Sequence, residues 1–101
     1  MYTVLQSAAF KEWVSGLKDD RARARIAARV RRAELGNLGD AKSVGGGVSE
    51  MRIDQGPGYR LYFTVREQTL ILLLCGGDKR TQVSDIRRAQ RMVGELRREF
   101  T

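Results

Sequence analysis

Apolar positions recur along this chain at two different periods, and the change from one to the other divides it into elements. Residues 1–5, MYTVL, read as a short strand. Ser7 then stands where a helix needs a cap. From there Phe10, Trp13, Val14 and Leu17 recur at helical spacing, which predicts a helix over about 8–17. The break Lys18-Asp19-Asp20 offers an aspartate cap for a second helix over about 21–35. Its apolar stripe is narrow (Ala22, Ile26, Val30 and Ala33), and Gly36 closes it. Residues 36–47, GNLGDAKSVGGG, read as a glycine-rich loop.

After the loop the period falls to two. In VSEMRID, Met51 and Ile53 point one way and Glu50, Arg52 and Asp54 the other. Gln55-Gly56-Pro57-Gly58 is a turn. In YRLYFTVR, Tyr59, Leu61, Phe63 and Val65 share one face and Arg60, Tyr62, Thr64 and Arg66 the other. Glu67-Gln68 makes a tight turn. The continuously apolar TLILLLC predicts a strand covered on both faces. Gly76 to Arg80 form a loop, and a last helix over about 82–98 carries Ile86, Ala89, Val93 and Leu96 on its apolar side. The expected order is β-α-α-β-β-β-α. It predicts a single α+β domain over 1–101, a two-layer sandwich in which an antiparallel meander is covered by two N-terminal helices.

Bulk properties narrow the chemistry. The chain has 101 residues, enough for one modest core. No apolar run approaches the ~18 residues of a membrane span, and the N-terminus lacks the basic-then-apolar pattern of an export signal. A cytoplasmic protein is therefore expected. The chain has no histidine, which excludes imidazole metal sites and imidazole acid–base pairs, and its one cysteine, Cys75, sits in an apolar run as a buried thiol. Net charge is +7, with 15 Arg against 4 Lys. Such a field attracts polyanions, and arginine binds phosphate bidentately. The implied partners are nucleic acid, an acidic protein, or both.

Parity on the meander brings candidates together. Arg52 on one strand and Arg60 and Tyr62 on its neighbour share the face away from Met51, Ile53, Leu61 and Phe63, and Lys79 and Arg80 follow the next strand at one end of the sheet. A phosphodiester cut by its own 2′-hydroxyl needs that hydroxyl deprotonated, the phosphorane charge stabilised and the leaving 5′-oxygen protonated. Arginines and a lysine supply the charge, and an exposed tyrosine ring stacks on a base. A solvated basic strand face with a packed tyrosine fits the same spacing. The Arg-rich second helix likewise fits both an RNA contact and a solvated face. Gly45-Gly46-Gly47 lacks the spacing of a phosphate loop, and Asp19-Asp20 reads as a cap.

Three stretches select between these readings: Glu50 to Ile53 (EMRI), Gly56 to Phe63 (GPGYRLYF) and Leu73 to Gln82 (LLCGGDKRTQ). Over about residues 8–95 the chain resembles the RelE superfamily, and within it the HigB-related addiction-module killer proteins. The resemblance implies a RelE-like fold and metal-independent endoribonuclease activity, without cofactor, on mRNA in the ribosomal A site. It also implies a small helix-turn-helix antitoxin as partner. Arg60 matches the family arginine on the scissile phosphate. Arg52 stands where relatives place a catalytic or phosphate-binding lysine, and Lys79 stands near the second essential basic residue. Tyr62, Arg80 and Glu50 fall beside these as substrate-binding candidates. Two positions depart from the pattern. Glu50 replaces a basic strand residue, and Val83 to Ile86 occupy the segment of the RelE C-terminal tyrosine. The general acid and base stay open among Glu50, Lys79 and Asp85. The rival within the same fold is a ParE-like gyrase inhibitor, which lacks the basic set that Arg52, Arg60 and Lys79 form here.

Overall fold

The architecture is that of a computed structural model, described over residues 1–99; the last two positions of the expected 1–101 domain lie outside the described residues. In chain order the elements are β1 (Thr3–Gln6), α1 (Ala8–Ser15), α2 (Asp20–Glu34), β2 (Ala41–Gly45), β3 (Val48–Ile53), β4 (Tyr59–Arg66), β5 (Leu70–Gly77), a 3-10 turn (Lys79–Thr81) and α3 (Gln82–Glu99). The helix signals act as the chain implied. Ser7 Oγ accepts from the Phe10 amide at 3.0 Å, and Asp19 Oδ1 accepts from Ala22 at 3.1 Å. At the end of α2, Gly36 takes a φ of +98° and its amide bonds to Ala33, while Asn37 reaches back to Arg32, a Schellman closure.

Two features of the expected fold are corrected. The first is the segment 36–47, expected as loop, which contains the strand β2, so the order is β-α-α-β-β-β-β-α. Ala41, Lys42 and Ser43 pair with Met51, Glu50 and Ser49, and a bulge precedes the Gly45–Val48 pair. Left-handed φ values at Gly45, Gly46 and Gly47 turn the chain back into β3. The glycine density that concealed the strand is the hairpin connection itself. The sheet order is β1-β5-β4-β3-β2, antiparallel from β2 to β5, with β1 parallel to β5 at the far edge.

The second correction concerns the layers. The expected two-layer sandwich has a third layer, because α3 lies on the face opposite α1 and α2. One core joins Phe10, Ala22, Ile26 and Ala33 of α1 and α2 to Met51, Ile53, Leu61, Phe63, Ile71 and Leu73. The other joins Ala89 and Val93 of α3 to Val48, Tyr62, Leu74 and Cys75. The apolar run of β5 is thus covered on both sides. A bulge in β5 sets its parity: Cys75 pairs with Tyr62 and Leu73 with Phe63, so Leu74 is extra and turns with Cys75 towards α3. Beyond the bulge Gly76 lies under α1 and Gly77 under α3. A Cβ at Gly76 would sit 2.2 Å from the Trp13 ring. Among the described residues no helix is long and apolar enough to cross a membrane.

Candidate functional site

β3 and β4 place Arg52 directly opposite Arg60. Like charges in that register repel, and the two side chains part. Arg52 stays outside, its Nε and Nη2 on the two Asp40 carboxylate oxygens at 3.1 and 3.3 Å. Arg60 folds inward until it is 8% exposed. Its Nη1 donates to the Gly58 carbonyl at 2.6 Å, and its Nε stands 3.7 Å from Glu50 Oε2. Between the two arginines opens a cleft of about 270 Å³, lined by Asp40, Arg52, Ile53, Asp54, Gly58, Tyr59 and Arg60.

Gly58 makes the close approach possible. Its φ is +79°, and a Cβ there would lie 3.2 Å from Arg60 Nη1 and 3.9 Å from Lys79 Cβ. Lys79 thus stands next to Gly58, at one end of the cleft lining; it does not itself line the cleft, and its side chain is exposed. Its position comes from the 3-10 turn, where Asp78 caps the Arg80 amide at 2.8 Å. Arg80 itself turns back onto Asp78, its Nη2 3.0 Å from Oδ2. That bond is the main reason the Asp78 carboxyl is held below, and the Arg80 guanidinium above, their ordinary pKa values.

The remaining candidates lie elsewhere. Tyr62 was expected as an exposed stacking ring, but it is wholly buried beneath α3. Burial first, and the neighbouring Glu50 charge second, keep its phenol well above the ordinary value; Asp85 adds to this and Arg60 opposes it. Glu50, expected to touch substrate, is likewise 0% exposed, with Oε2 accepting from Gln82 Nε2 at 2.8 Å. Both corrections have one cause, the third layer: the face that strand parity selected is roofed by α3 and open only where Arg52 and Arg60 reach its edge. Asp85 is half-buried on α3, accepts from Thr81 Oγ1 at 2.5 Å and packs over Gly77, the partner of Arg60.

Two residues of the site escaped the sequence reading. Asp40 was assigned to a loop, and its role depends on β2, which brings its carbonyl to the Arg52 amide at 3.0 Å. Gln82 closes the Leu73 to Gln82 stretch that carries the resemblance, but nothing in the sequence assigned it a role at the site. The second helix contributes at the margin. Arg29 donates to the carbonyls of Arg52 and Leu38, and a hollow lined by Arg25, Arg29 and Arg32 shares Ile53 and Asp54 with the cleft. Burial, then the charge of Arg32, lowers the Arg29 pKa. Cys75 is buried as expected, and burial pushes its thiol up to about 11. No group of three or more potential metal-ligating residues occurs among the described residues.

Comparison with known proteins bears on these same positions. The family described as phage-derived protein Gp49-like (DUF891) matches residues 12–93, which include every site residue named above. An uncharacterized protein of Haemophilus influenzae is 51% identical over 87 residues, covering 86% of this chain and 88% of that one.

Proposed function

Since the chain belongs to the Gp49-like family, whose members are toxin–antitoxin toxins akin to RelE and HigB, we propose that it is a ribosome-dependent endoribonuclease that stops translation by cutting mRNA. Family membership implies an antitoxin partner. We infer a small helix-turn-helix protein in that role, and the ribosome as the surface that presents the substrate strand.

The observation that carries this reading is a cleft with two guanidiniums on its walls, Arg52 and Arg60, and with Lys79 next to its Gly58 end. The 2′-hydroxyl attacks the adjacent phosphorus and gives up its proton to solvent at the open cleft. The P–O5′ bond breaks, leaving a 2′,3′-cyclic phosphate and a free 5′-hydroxyl. Arg60, already fixed at the cleft wall, takes the charge that grows on the non-bridging oxygens, without reorganising as it does so. Arg52 reaches the same phosphate or its neighbour by giving up Asp40, an exchange of one exposed ion pair for another that costs little. Lys79, long and exposed, serves the leaving 5′-oxygen as its proton donor.

The test is to induce the protein and map the 5′ ends of cellular mRNAs, comparing wild type with Arg60→Lys. Arg60→Lys retains a cation against Glu50, whereas Arg60→Ala strands a buried carboxylate and confounds folding with chemistry. New 5′ ends inside translated frames are expected, reduced about 100-fold by Arg60→Lys. Intact mRNAs together with altered DNA supercoiling would move the assignment to gyrase inhibition.

A further inference from the structure

Glu50 is a wholly buried carboxylate, and a charge taken out of water needs a partner. Arg60 is its ion-pair partner in the structure. Around the pair three buried polar atoms have no hydrogen-bond partner among the described residues: Glu50 Oε1, Arg60 Nε and the Tyr62 hydroxyl. They are gathered by the register, in which Glu50 pairs with Tyr62 and Arg52 with Arg60. Gln82, at the first turn of α3, donates to Glu50 Oε2 and fixes the carboxylate from above.

The consequence falls on the Arg60 guanidinium. Its Nη1 is held by the Gly58 carbonyl, and its Nε faces the Glu50 carboxylate. One hydrogen bond at Nη1 and an opposite charge 3.7 Å from Nε narrow the orientations open to the planar group. Nη2 has no such contact among the described residues and is the donor the guanidinium keeps for a ligand. Glu50 itself is too deep to touch a strand of RNA.

We propose that Glu50 is a positioning residue for Arg60, clamped by Gln82, which aims the guanidinium into the cleft before any substrate arrives. The effect on turnover rests on the RNA-cleavage reading above; the geometry does not. In this arrangement α3 is more than a cover, because its first turn sets the aim of a side chain on β4.

The experiment joins kinetics to a signal that needs no activity. Cleavage of mRNA on programmed ribosomes is measured per folded molecule for wild type, Glu50→Gln and Gln82→Ala, and the slow-exchanging Arg60 Nε–H resonance is followed by NMR in each free protein. Glu50→Gln is expected to lower kcat about 10- to 100-fold, the scale of a small misplacement. KM is expected to stay unchanged or fall, because removing one negative charge favours RNA. Gln82→Ala is expected to act in the same direction by a smaller factor, and the double variant to match Glu50→Gln alone, since both work through one carboxylate. The Arg60 resonance is expected to broaden or vanish in both.

Unchanged kcat per folded molecule with an unchanged Arg60 resonance overturns the proposal, even if thermal stability falls, because that pattern is what a merely structural carboxylate gives. If wild type cuts no RNA while the Arg60 resonance still depends on Glu50, the cleavage reading fails and the positioning role stands. Should Glu50→Gln fail to fold, Gln82→Ala, which keeps the carboxylate, decides by the same two measurements.

Discussion

On the side of the sheet covered by α1 and α2, β3, β4 and β5 present Met51, Ile53, Leu61, Phe63, Ile71 and Leu73, all apolar and all buried. On the side covered by α3, the same strands present Glu50, Arg60, Tyr62 and Thr64 beside Val48, Leu74 and Cys75. The first face needs only shape. The second must reconcile two charges and a phenol with burial, and it leaves three polar atoms with no hydrogen-bond partner among the described residues. Native interiors seldom tolerate such groups without a reason, because each unmade bond costs about 1–3 kcal/mol. The reason offered here is preorganisation, a guanidinium held at a cleft wall by charges that water does not screen. One face is built for stability, and the other gives up stability to fix the direction of Arg60.

Two adjacent glycines make this contrast measurable. At Gly76 a methyl group would enter the Trp13 ring, which is anchored between Phe10 and Tyr59 at centroid distances of 5.8 and 6.1 Å. Gly76→Ala is expected to cost about 3 kcal/mol, the upper end of ordinary overpacking, because a packed indole cannot yield. At Gly77 the methyl would meet the Asp85 carboxylate, 1.9 Å from Oδ2, and a side-chain end on α3 can rotate away. Gly77→Ala is expected to cost only about 1 kcal/mol, with the Thr81–Asp85 bond broken and α3 shifted at its first turn. Urea unfolding of the two variants gives the comparison directly. Equal losses would mean that the two faces are equally rigid.

Much of this was readable in advance. The caps at Ser7 and Asp19 and the alternation in β3 and β4 are local signals, and local physics decides them. The pairing of Arg52 with Arg60 follows from the turn at Gln55–Gly58 and the strand period. What escaped was non-local. Strand β2 carries only Ala41 and Val44 as apolar positions, and its hydrogen bonds to β3 make it a strand. Parity placed Glu50 and Tyr62 on a common face correctly, but it cannot say whether that face is open. The apolar run of β5 signalled cover on both sides, and the amphipathic α3 was available to supply the second. Their conjunction, taken alone, would have put Tyr62 indoors.

The exposed half of the cationic pair sharpens the contrast from the other direction. Arg52 and Asp40 have side chains 49% and 59% exposed. An ion pair of that kind contributes roughly 0–1 kcal/mol. Asp40→Asn is therefore expected to leave the urea midpoint nearly unchanged while making Arg52 available and removing one acidic group from the cleft. Binding of a short RNA is expected to tighten a few-fold at low salt, with the gain fading as salt is raised. A loss of stability comparable to that of Gly76→Ala would show Asp40 to be a structural tie of the β2 edge rather than a resting partner for Arg52.

The smallest effect belongs to the Tyr62 hydroxyl, and its sign separates a packed ring from a working one. Beside the Glu50 carboxylate but without a hydrogen bond of normal geometry among the described residues, the hydroxyl contributes little that phenylalanine would lose, so Tyr62→Phe is expected to change stability at pH 7 by less than about 1 kcal/mol, in either direction, and to leave cleavage intact. Its trace lies in the alkaline range. Folding holds the phenol above its ordinary value of 10.0 and the Cys75 thiol at about 11 against an ordinary 9.0, so between ordinary and folded values the native state keeps protons that the unfolded chain has lost. Stability from both groups is complete below the unfolded values and is lost as pH rises through the folded ones. The urea midpoint is expected to begin falling above pH 9 through Cys75 and to steepen above pH 10 through Tyr62. Tyr62→Phe should remove the second part of that fall and Cys75→Ala the first. A Tyr62→Phe variant that loses cleavage at neutral pH while keeping its midpoint would return the ring to the reacting strand and end the account of a closed α3 face.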